Sequence, residues 1–591
     1  MAIDIKKYFR NEYPRPQFER NQWENLNGLW SFAFDDNNLG EKEKWYKGKK
    51  FHKKINVPFT YETEASGIGD KEFHPYIWYQ RDIVLDEDSV KNKEVILRFQ
   101  RSDYLTKVWV NSKFVGEHRG GNAAFGFNIT HELEVNKENS IVVKVEDSFD
   151  TAQPRGKQKW VNDNFGCWYT QTTGIWQTVW LEYLNPIHLD YTKITPNFDS
   201  NSVTIDYSLT PFQKEDVTVK TKVSYKGTEI RTLNYKTKRK EFQLTFDLID
   251  DEFEWGVHVW SPENPNLYDL SFEVIVDNQL KDKVNSYFGL RKISISDGQV
   301  LLNNQPIYQK LLLDQGYWQE SMLTPPSEEA IIEDIEKTIA MGFNGVRKHQ
   351  KLEDNRFLYW CDKKGLLVWS EMAATYSFTD QAIDNFTKEW LDIIKENYNH
   401  PSIITWVPFN ESWGVPNIKT EKDQQAFTQA IYYLTKSYDK ERPVIVNDGW
   451  EHTISDIIAL HDYEELGSVF KERYQDKDNI VENKIPHNGF KYAFADGFKY
   501  NGQPVIITEY GGIAFNEEQG WGYGNQVNNE SEFLERYSNI TDAIKNTPYI
   551  VGYCYTQTTD VQQEINGLLK ADRTPKIALE KIKKINDSKP N

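Results

Sequence analysis

Cysteine, positive charge and long apolar runs are all scarce in this chain, and each scarcity removes a class of function. Only Cys167, Cys361 and Cys554 occur in 591 residues. Their odd number and wide spacing suggest neither a disulfide framework nor a zinc-ligand pair, and a reducing compartment fits. The 70 Lys and Arg are outnumbered by 89 Asp and Glu, a formal net charge of −19, and no compact basic run forms a phosphate-binding stripe. Nucleic acid is therefore not an expected partner, and the acidity reads as a solubility feature. No apolar run is long enough to span a bilayer, and Met1-Ala-Ile-Asp-Ile-Lys-Lys-Tyr-Phe-Arg lacks the apolar core of a signal peptide. A cytoplasmic protein without a membrane partner is expected.

Aromatic residues are in surplus at 14%, including 19 Trp and 33 Tyr. Such rings can lie on the C–H faces of sugars, although most serve the core. The length exceeds what one core organises, so several domains are expected. From about Trp30 to Tyr183, short alternating segments such as Glu94-Val-Ile-Leu-Arg-Phe and Leu105-Thr-Lys-Val-Trp-Val read as an antiparallel, jelly-roll-like β-sandwich, assigned to residues 1–184. Alternation returns in Ser202-Val-Thr-Ile-Asp-Tyr-Ser-Leu and Val217-Thr-Val-Lys-Thr-Lys-Val-Ser, which suits one immunoglobulin-like β-sandwich over 185–295.

Beyond Ser296 short apolar strands alternate with helical stretches, one of which Ser327 can cap. Eight candidate strands run Pro306 to Leu313, Gly345 to Lys348, Leu366 to Glu371, Ile403 to Asn410, Val444 to Asn447, Ile457 to His461, Pro504 to Glu509 and Ile550 to Tyr555. They predict a catalytic (β/α)8 TIM barrel over 296–591, with functional residues at the C-terminal strand ends. The stretch Glu464 to Tyr500 reads as an enlarged loop over the barrel mouth.

Two of the strands run straight into acids. Pro401-Ser-Ile-Ile-Thr-Trp-Val-Pro-Phe-Asn-Glu-Ser-Trp delivers Asn410 and Glu411 to the rim, and Pro504-Val-Ile-Ile-Thr-Glu-Tyr-Gly-Gly delivers Glu509. Facing carboxyl groups are what glycoside hydrolysis needs: one protonates the leaving oxygen and the other attacks the anomeric carbon or activates water. A lone strand-end Glu would more often be a structural ion pair; the two together, with their flanks, favour catalysis.

Asn410-Glu411-Ser-Trp413 and Thr508-Glu509-Tyr-Gly resemble the acid/base and nucleophile motifs of glycoside hydrolase family 2, which includes β-galactosidases and β-glucuronidases. Trp78-Tyr-Gln-Arg, Val108-Trp-Val-Asn and Gly174-Ile-Trp-Gln resemble its sugar-binding sandwich, and Trp260-Ser-Pro-Glu-Asn-Pro-Asn-Leu-Tyr with Phe288-Gly-Leu-Arg resembles the end of its immunoglobulin-like domain. The resemblance implies a retaining glycosidase with Glu411 as acid/base and Glu509 as nucleophile. It further implies that Asn410 donates to the sugar 2-hydroxyl, that Tyr463 orients Glu509 and that Arg347 lies beneath it. Glu509 beside a cation and a hydroxyl is expected to have a lowered pKa, and Glu411 is expected to stay protonated until used. His349 and His461, at strand ends, touch sugar hydroxyls or are structural. Tyr555 is expected to form an aromatic platform and Trp521 to cover the pocket.

The sequence also departs from that pattern. Where family members place an aspartate from the first domain into the pocket, this chain has Trp168. The Asn-x-Lys with which the family's glucuronidases grip a carboxylate has no clear equivalent, Asn566 and Lys570 being the nearest residues. After Arg347 the chain reads Lys-His349-Gln-Lys, compressed relative to Arg-x-x-His. The missing Asn-x-Lys disfavours a β-glucuronidase, and the frequency of activities in the family the chain resembles implies a β-galactosidase-type activity on an oligosaccharide or glycoside, with α-L-arabinopyranosidase and β-galactofuranosidase as competitors. A catalytically inactive carbohydrate-binding protein is the rival outside enzymology. A metal hydrolase using His349, Glu371 and His461 is disfavoured, since no His-x-His or His-Glu-x-x-His occurs. No metal ligand set and no required cofactor are expected, and the oligomeric state, a homo-oligomer included, is left open.

Overall fold

The computed structural model describes residues 8–210, 216–249, 256–516 and 519–589. Its first layer pair is a six-stranded sheet, ordered Lys53–Val57, Gly28–Phe34, Tyr76–Val84, Glu138–Glu146, Leu105–Val110, Lys113–Arg119, facing a four-stranded one, Trp23–Asn25, Val179–Leu184, Glu94–Phe99, Phe125–Asn128. In Glu94–Phe99 every second side chain turns inward, so Val95, Leu97 and Phe99 pack with Trp30, Phe32, Tyr79 and Val143 in one buried core. This period of two lets one face stay wet while the other is dry.

A second sandwich follows, with three strands (His188–Asn197, Ser202–Thr210, Glu241–Asp247) over four (Thr228–Thr237, Val217–Tyr225, Tyr268–Val276, Gln279–Phe288). Val203, Ile205, Tyr207 and Leu209 from one sheet meet Val217, Val219 and Val223 from the other. Seven antiparallel strands in two layers make it immunoglobulin-like.

The last part is a parallel barrel of strands β1 (Gln309–Asp314), β2 (Gly345–Lys348), β3 (Leu367–Glu371), β4 (Ile403–Val407), β5 (Asn447–Asp448), β6 (Ile458–His461), β7 (Val505–Gly511) and β8 (Ile550–Thr556). Seven form one sheet in the order β4-β3-β2-β1-β8-β7-β6. Strand β5 fills the gap: it pairs in parallel with Phe409–Asn410, the continuation of β4, while the His461 N–H donates to Gly449 O at 3.2 Å. Leu311, Leu367, Trp369, Ile404, Ile445, Ala459, Ile506 and Cys554 share one core with Trp260, Ile293 and Val300, which plug the barrel bottom. The alternate set, including Leu312, Val346, Val368, Ile403, Ile507 and Tyr555, packs with the helices. Ser327 caps the helix Glu328–Ala340 by accepting from the Ala330 N–H.

Two expectations change here. Pro306 belongs not to the barrel but to a small antiparallel sheet (Ile293–Ser296, Gln299–Leu302, Gln305–Pro306), because the turn at Asn303 and Asn304 folds it back on Leu301. The stretch Glu464 to Tyr500 is not simply loop, since it holds the helices Gly467–Tyr474 and Lys477–Val481, whose Phe470, Tyr474, Ile480 and Val481 are buried.

The first sandwich is fastened to the barrel through the helix Asp380–Asn397. Glu396 accepts from Gln100 Nε2 (2.7 Å), Arg101 Nη2 (2.9 Å) and the Ala124 N–H (3.2 Å), and Glu389 accepts from the backbone and side chain of Asn122. Arg101 is fully buried, so its charge has no recourse to water. Glu396→Ala is expected to cost about 3–5 kcal/mol through that unpaired guanidinium, read by denaturant unfolding with tryptophan fluorescence; a loss under about 1 kcal/mol would show the docking does not depend on this pair.

Candidate active site

Strand β4 is buried on both faces, as parallel strands are, and it reaches the rim through Pro408. Beyond Asn410 the backbone turns left-handed at two successive non-glycine residues, Glu411 (φ 52°) and Ser412 (φ 60°). Such conformations cost about 1–3 kcal/mol each and persist only where surroundings hold them. Here the Glu411 N–H donates to Asp448 O (2.8 Å), the Ser412 N–H to Asn447 Oδ1 (2.9 Å) and the Ser412 hydroxyl to Glu451 Oε2 (2.9 Å). The turn leaves the Glu411 side chain 19% exposed amid buried neighbours.

Glu509 stands on β7, nearly buried, with both oxygens engaged. Oε1 accepts from Arg347 Nη2 (3.1 Å) and Oε2 from the Tyr463 hydroxyl (2.6 Å). Arg347, at the end of β2, is wholly buried. It donates to Glu371 Oε1, to Thr508 O (2.6 Å) and to Asn410 Oδ1 (3.0 Å), and its Nε lies 3.0 Å from Asp448 Oδ2. Burial would raise the pKa of Glu371 and of Asp448, but Arg347 above all outweighs it and holds both below their ordinary values. With its oxygen fixed by Arg347, Asn410 keeps a buried Nδ2 with no protein acceptor.

His461, at the end of β6, lies between the two acids. Its Nδ1 is 2.9 Å from Glu411 Oε1 and 3.4 Å from Glu509 Oε2, and its Nε2 is 3.2 Å from Asp448 Oδ1. Burial disfavours the imidazolium, yet Glu509, Asp448 and Glu411 together raise the pKa to about 10. The converse holds for Glu411: burial raises it, but the hydrogen bond and charge of His461, then Lys157 and His349, bring it well below the usual carboxylate range. Glu411 is thus ionised in the free site, not protonated as expected, because a cationic ring faces it. One oxygen of Glu411 and one of Glu509 lie within 4.8 Å of each other.

An aromatic wall closes the side of Glu411. Trp413 meets Trp168 edge-on (5.1 Å between centroids) and Tyr376 at 5.4 Å, and Trp160 stacks on Tyr376 at 4.1 Å. Trp168 and Trp160 come from the first sandwich, whose loop reaches over the barrel. That loop is held by Trp521 Nε1 donating to Gly166 O (3.0 Å) and by Gln563 Nε2 donating to Trp168 O (2.9 Å).

The structure therefore gathers Arg347, Asn410, Glu411, His461, Tyr463 and Glu509 at one point, with Trp168 beside them. His349, just past the end of β2, is buried against Glu371 (Nδ1 to Oε2, 3.0 Å) and Arg347, with Nδ1 4.0 Å from Glu509 Oε1. Trp521 clasps a loop through its indole N–H. Tyr555 is not a platform: it lies on the helix-facing side of β8, against Tyr510 and Tyr537, while Thr556 meets the Tyr463 hydroxyl at 3.1 Å. The period of two along β8 decides this, since Cys554 takes the inward position. Sequence reasoning missed Asp448, and Tyr523, which stacks on Tyr463 at 3.4 Å. Asp448 ends a barrel strand, a signal that was legible; Tyr523 comes from a loop and carried none.

A metal reading gains little. Glu411, His461 and Glu509 have donor atoms within 4.8 Å, but both ring nitrogens of His461 face only carboxylate oxygens and so carry protons, leaving no lone pair for an ion. Arg347 occupies the space among His349, Glu371 and Asp448. Asp70, Glu72 and His74 form a second group, on the surface of the sandwich.

Comparison with known proteins follows this geometry. The barrel region, residues 293–588, matches the TIM barrel domain of glycosyl hydrolases family 2, residues 23–184 match that family's sugar binding domain, and residues 187–291 match a further model of glycosyl hydrolases family 2. The chain belongs to glycoside hydrolase family 2. Family 2 comprises retaining glycoside hydrolases, and the match to its sugar binding domain supports binding of a sugar. A β-galactosidase of Thermoanaerobacter pseudethanolicus is 28% identical over 83% of this chain and 59% of its own length, so the match spans about three fifths of that relative. A β-glucuronidase of Streptococcus agalactiae is 24% identical over 97% of both chains. Among solved structures, a β-glucuronidase from Ruminococcus gnavus in complex with D-glucuronic acid has the same fold at 18% identity, TM-score 0.79, over 98% of this chain and 100% of that one. A β-galacturonidase from Eisenbergiella tayi gives 0.74 at 18% identity over 98% of each.

In this family 2 hydrolase the ring of His461 rests on Gly449, where an added Cβ would stand 2.7 Å from Nδ1 and φ is 109°. Gly449→Ala must move the ring off Glu411, and kcat/KM on an alkyl glycoside, whose leaving group must be protonated, is expected to fall at least about tenfold; an unchanged value would show that the position of His461 is immaterial.

Proposed function

We propose that this chain is a retaining exo-β-glycosidase in which Glu509 attacks the anomeric carbon and Glu411 serves as acid, then base. The observation that carries the reading is the approach of the two side chains to within 4.8 Å across the barrel mouth. Direct attack needs carboxyl groups about 5–5.5 Å apart, whereas an intervening water needs about 6.5–9.5 Å. Arg347 and Tyr463 each hold one oxygen of Glu509 and aim it, and Asn410 offers its free Nδ2 to the sugar 2-hydroxyl, a bond that strengthens in the transition state. The proposal includes a cytoplasmic location and a reaction without a metal or organic cofactor.

For the sugar we propose a neutral, galactose-type glycoside. Glu371, Glu411, Asp448, Glu509 and Glu564 surround the site and outnumber Arg347, His461 and Lys157 even with His349 added, a balance that repels an anionic ring substituent. Asn566 is committed to Gln557 and Glu564, and Lys570 is exposed, so neither is poised to grip a carboxylate. One observation favours a uronic acid instead: Lys157, buried beside Cys167, is close enough to Glu411 and Glu564 to feel both charges.

Nitrophenyl galactosides, arabinopyranosides, galactofuranosides and glucuronides separate these readings; the β-galactoside is expected to turn over fastest, and preference for a glucuronide would overturn the neutral-sugar reading. Glu509→Ala is expected to abolish turnover, while azide restores rate to Glu411→Ala with an activated aryl glycoside. A 2-fluoro glycoside should label wild-type Glu509 by mass spectrometry; labelling elsewhere, or full activity of either variant, would overturn the roles, and no turnover at all would leave a carbohydrate-binding protein.

A further inference from the structure

The two acids of a double displacement need one proton between them, and the free site has a ring placed to hold it. Nδ1 of His461 has Glu411 Oε1 at 2.9 Å and Glu509 Oε2 at 3.4 Å, and Nε2 has Asp448 Oδ1 at 3.2 Å. A ring whose two nitrogens both face carboxylate oxygens is an imidazolium. Among the described residues no other side chain accepts from the ring. The ring rests on Gly449 and lies 5.6 Å edge-on from Trp450. Nearby His452 and His487, buried and lowered to about 4 and about 3, point their Nε2 atoms at the carbonyls of Ala459 and Gly449. Arg347 neutralises Asp448 and Glu509 from beneath, and Lys157 and His349 add positive potential at Glu411.

Resting on the roles assigned to Glu411 and Glu509, we propose that His461, fixed by Asp448, stores the proton that Glu411 delivers to the leaving group and takes it back when Glu411 activates water. In the first step the proton crosses from Nδ1 to Glu411 Oε1 and on to the glycosidic oxygen. The bond from that oxygen to the anomeric carbon breaks as Glu509 forms its own, and the aglycone leaves as an alcohol with His461 neutral. In the second step Glu411 removes a proton from water, the oxygen of water attacks the anomeric carbon, and the Glu509 ester bond breaks to release the carboxylate. The proton returns through Glu411 to Nδ1, so the sum is one glycoside and one water giving the free sugar as its hemiacetal and the aglycone as an alcohol. His461 touches neither reacting carbon nor leaving oxygen; it is a positioning residue that acts through Glu411. The arrangement explains how an acid surrounded by cations can still donate: Glu411 borrows the proton for one step only.

The test compares wild type with His461→Gln, on an alkyl glycoside whose leaving group must be protonated and a dinitrophenyl glycoside whose leaving group need not be. Shared between Glu411 and His461, the proton is retained to high pH; held by Glu411 alone, it is lost sooner. The alkaline limb of kcat/KM on the alkyl glycoside is therefore expected to move down by about two pH units. At pH 8 the variant is expected to lose at least about 100-fold on the alkyl glycoside and less than about fivefold on the dinitrophenyl one. Equal losses on both substrates with an unmoved limb would overturn the proposal and leave His461 a structural prop. Asp448→Asn, which frees Nε2, should shift the limb the same way; an unmoved limb there overturns the proposal if His461→Gln fails to fold. Labelling of wild-type Glu509 by a 2-fluoro glycoside is scored separately, so failure of the catalytic roles is distinguished from failure of the store.

Discussion

Everything at the barrel mouth depends on one buried guanidinium. Arg347 reaches from β2 to carboxylates at the ends of β3, β5 and β7, to the Thr508 carbonyl and to the Asn410 amide oxygen, so four strands and the continuation of a fifth are referenced to a single planar cation. A lysine could not replace it, because only the guanidinium fork presents several donors in fixed directions. Taking such a group out of water is unfavourable by several kcal/mol, which is repaid only when surrounding oxygens are complete. That requirement accounts for Glu371 and Asp448 beside it.

Charge then propagates outward from that centre. Asp448, ionised by Arg347 and Thr508, anchors Nε2 of His461, and His461 in turn fixes Glu411. The left-handed backbone at Glu411 and Ser412 is held by β5, the strand that carries Asp448. Geometry and electrostatics at the acid/base position are therefore one construction. The first sandwich completes it: Glu396 and Glu389 seat the domain on the barrel, and its loop brings Trp168 against Trp413 and Trp160 against Trp168 and Tyr376. A tryptophan at position 168 narrows that side and offers an apolar face where a carboxylate would have offered hydrogen bonds, which bears on the sugar more than on the chemistry.

Much of this was legible in the sequence, and the limits have physical causes. Apolar runs ending in Asn410-Glu411 and Thr508-Glu509 marked strands that are buried on both faces and end at a polar rim, and alternation in Ser202–Thr210 marked a sandwich. Tyr555 was misread because residues on one strand share an apparent motif but not a face; its neighbour Cys554 points into the barrel. The ionisation of Glu411 was misread because it depends on a ring fifty residues away along the chain, which local sequence cannot place. Tyr523 arrives from a loop whose path is set by Gly512 and Trp521, not by any periodic pattern. The sugar is the least legible part, since the wall beside Glu411 is assembled from loops of two domains, Trp160 and Trp168 from the first sandwich and Tyr376 and Trp413 from the barrel.

The central claim is that Glu411 and Glu509 act on one anomeric centre at a spacing that admits no water between nucleophile and sugar. Proton NMR of the first-formed hemiacetal, recorded before mutarotation on whichever β-glycoside the enzyme turns over, tests it most directly. The account predicts that the β-anomer appears first; initial release of the α-anomer would contradict it.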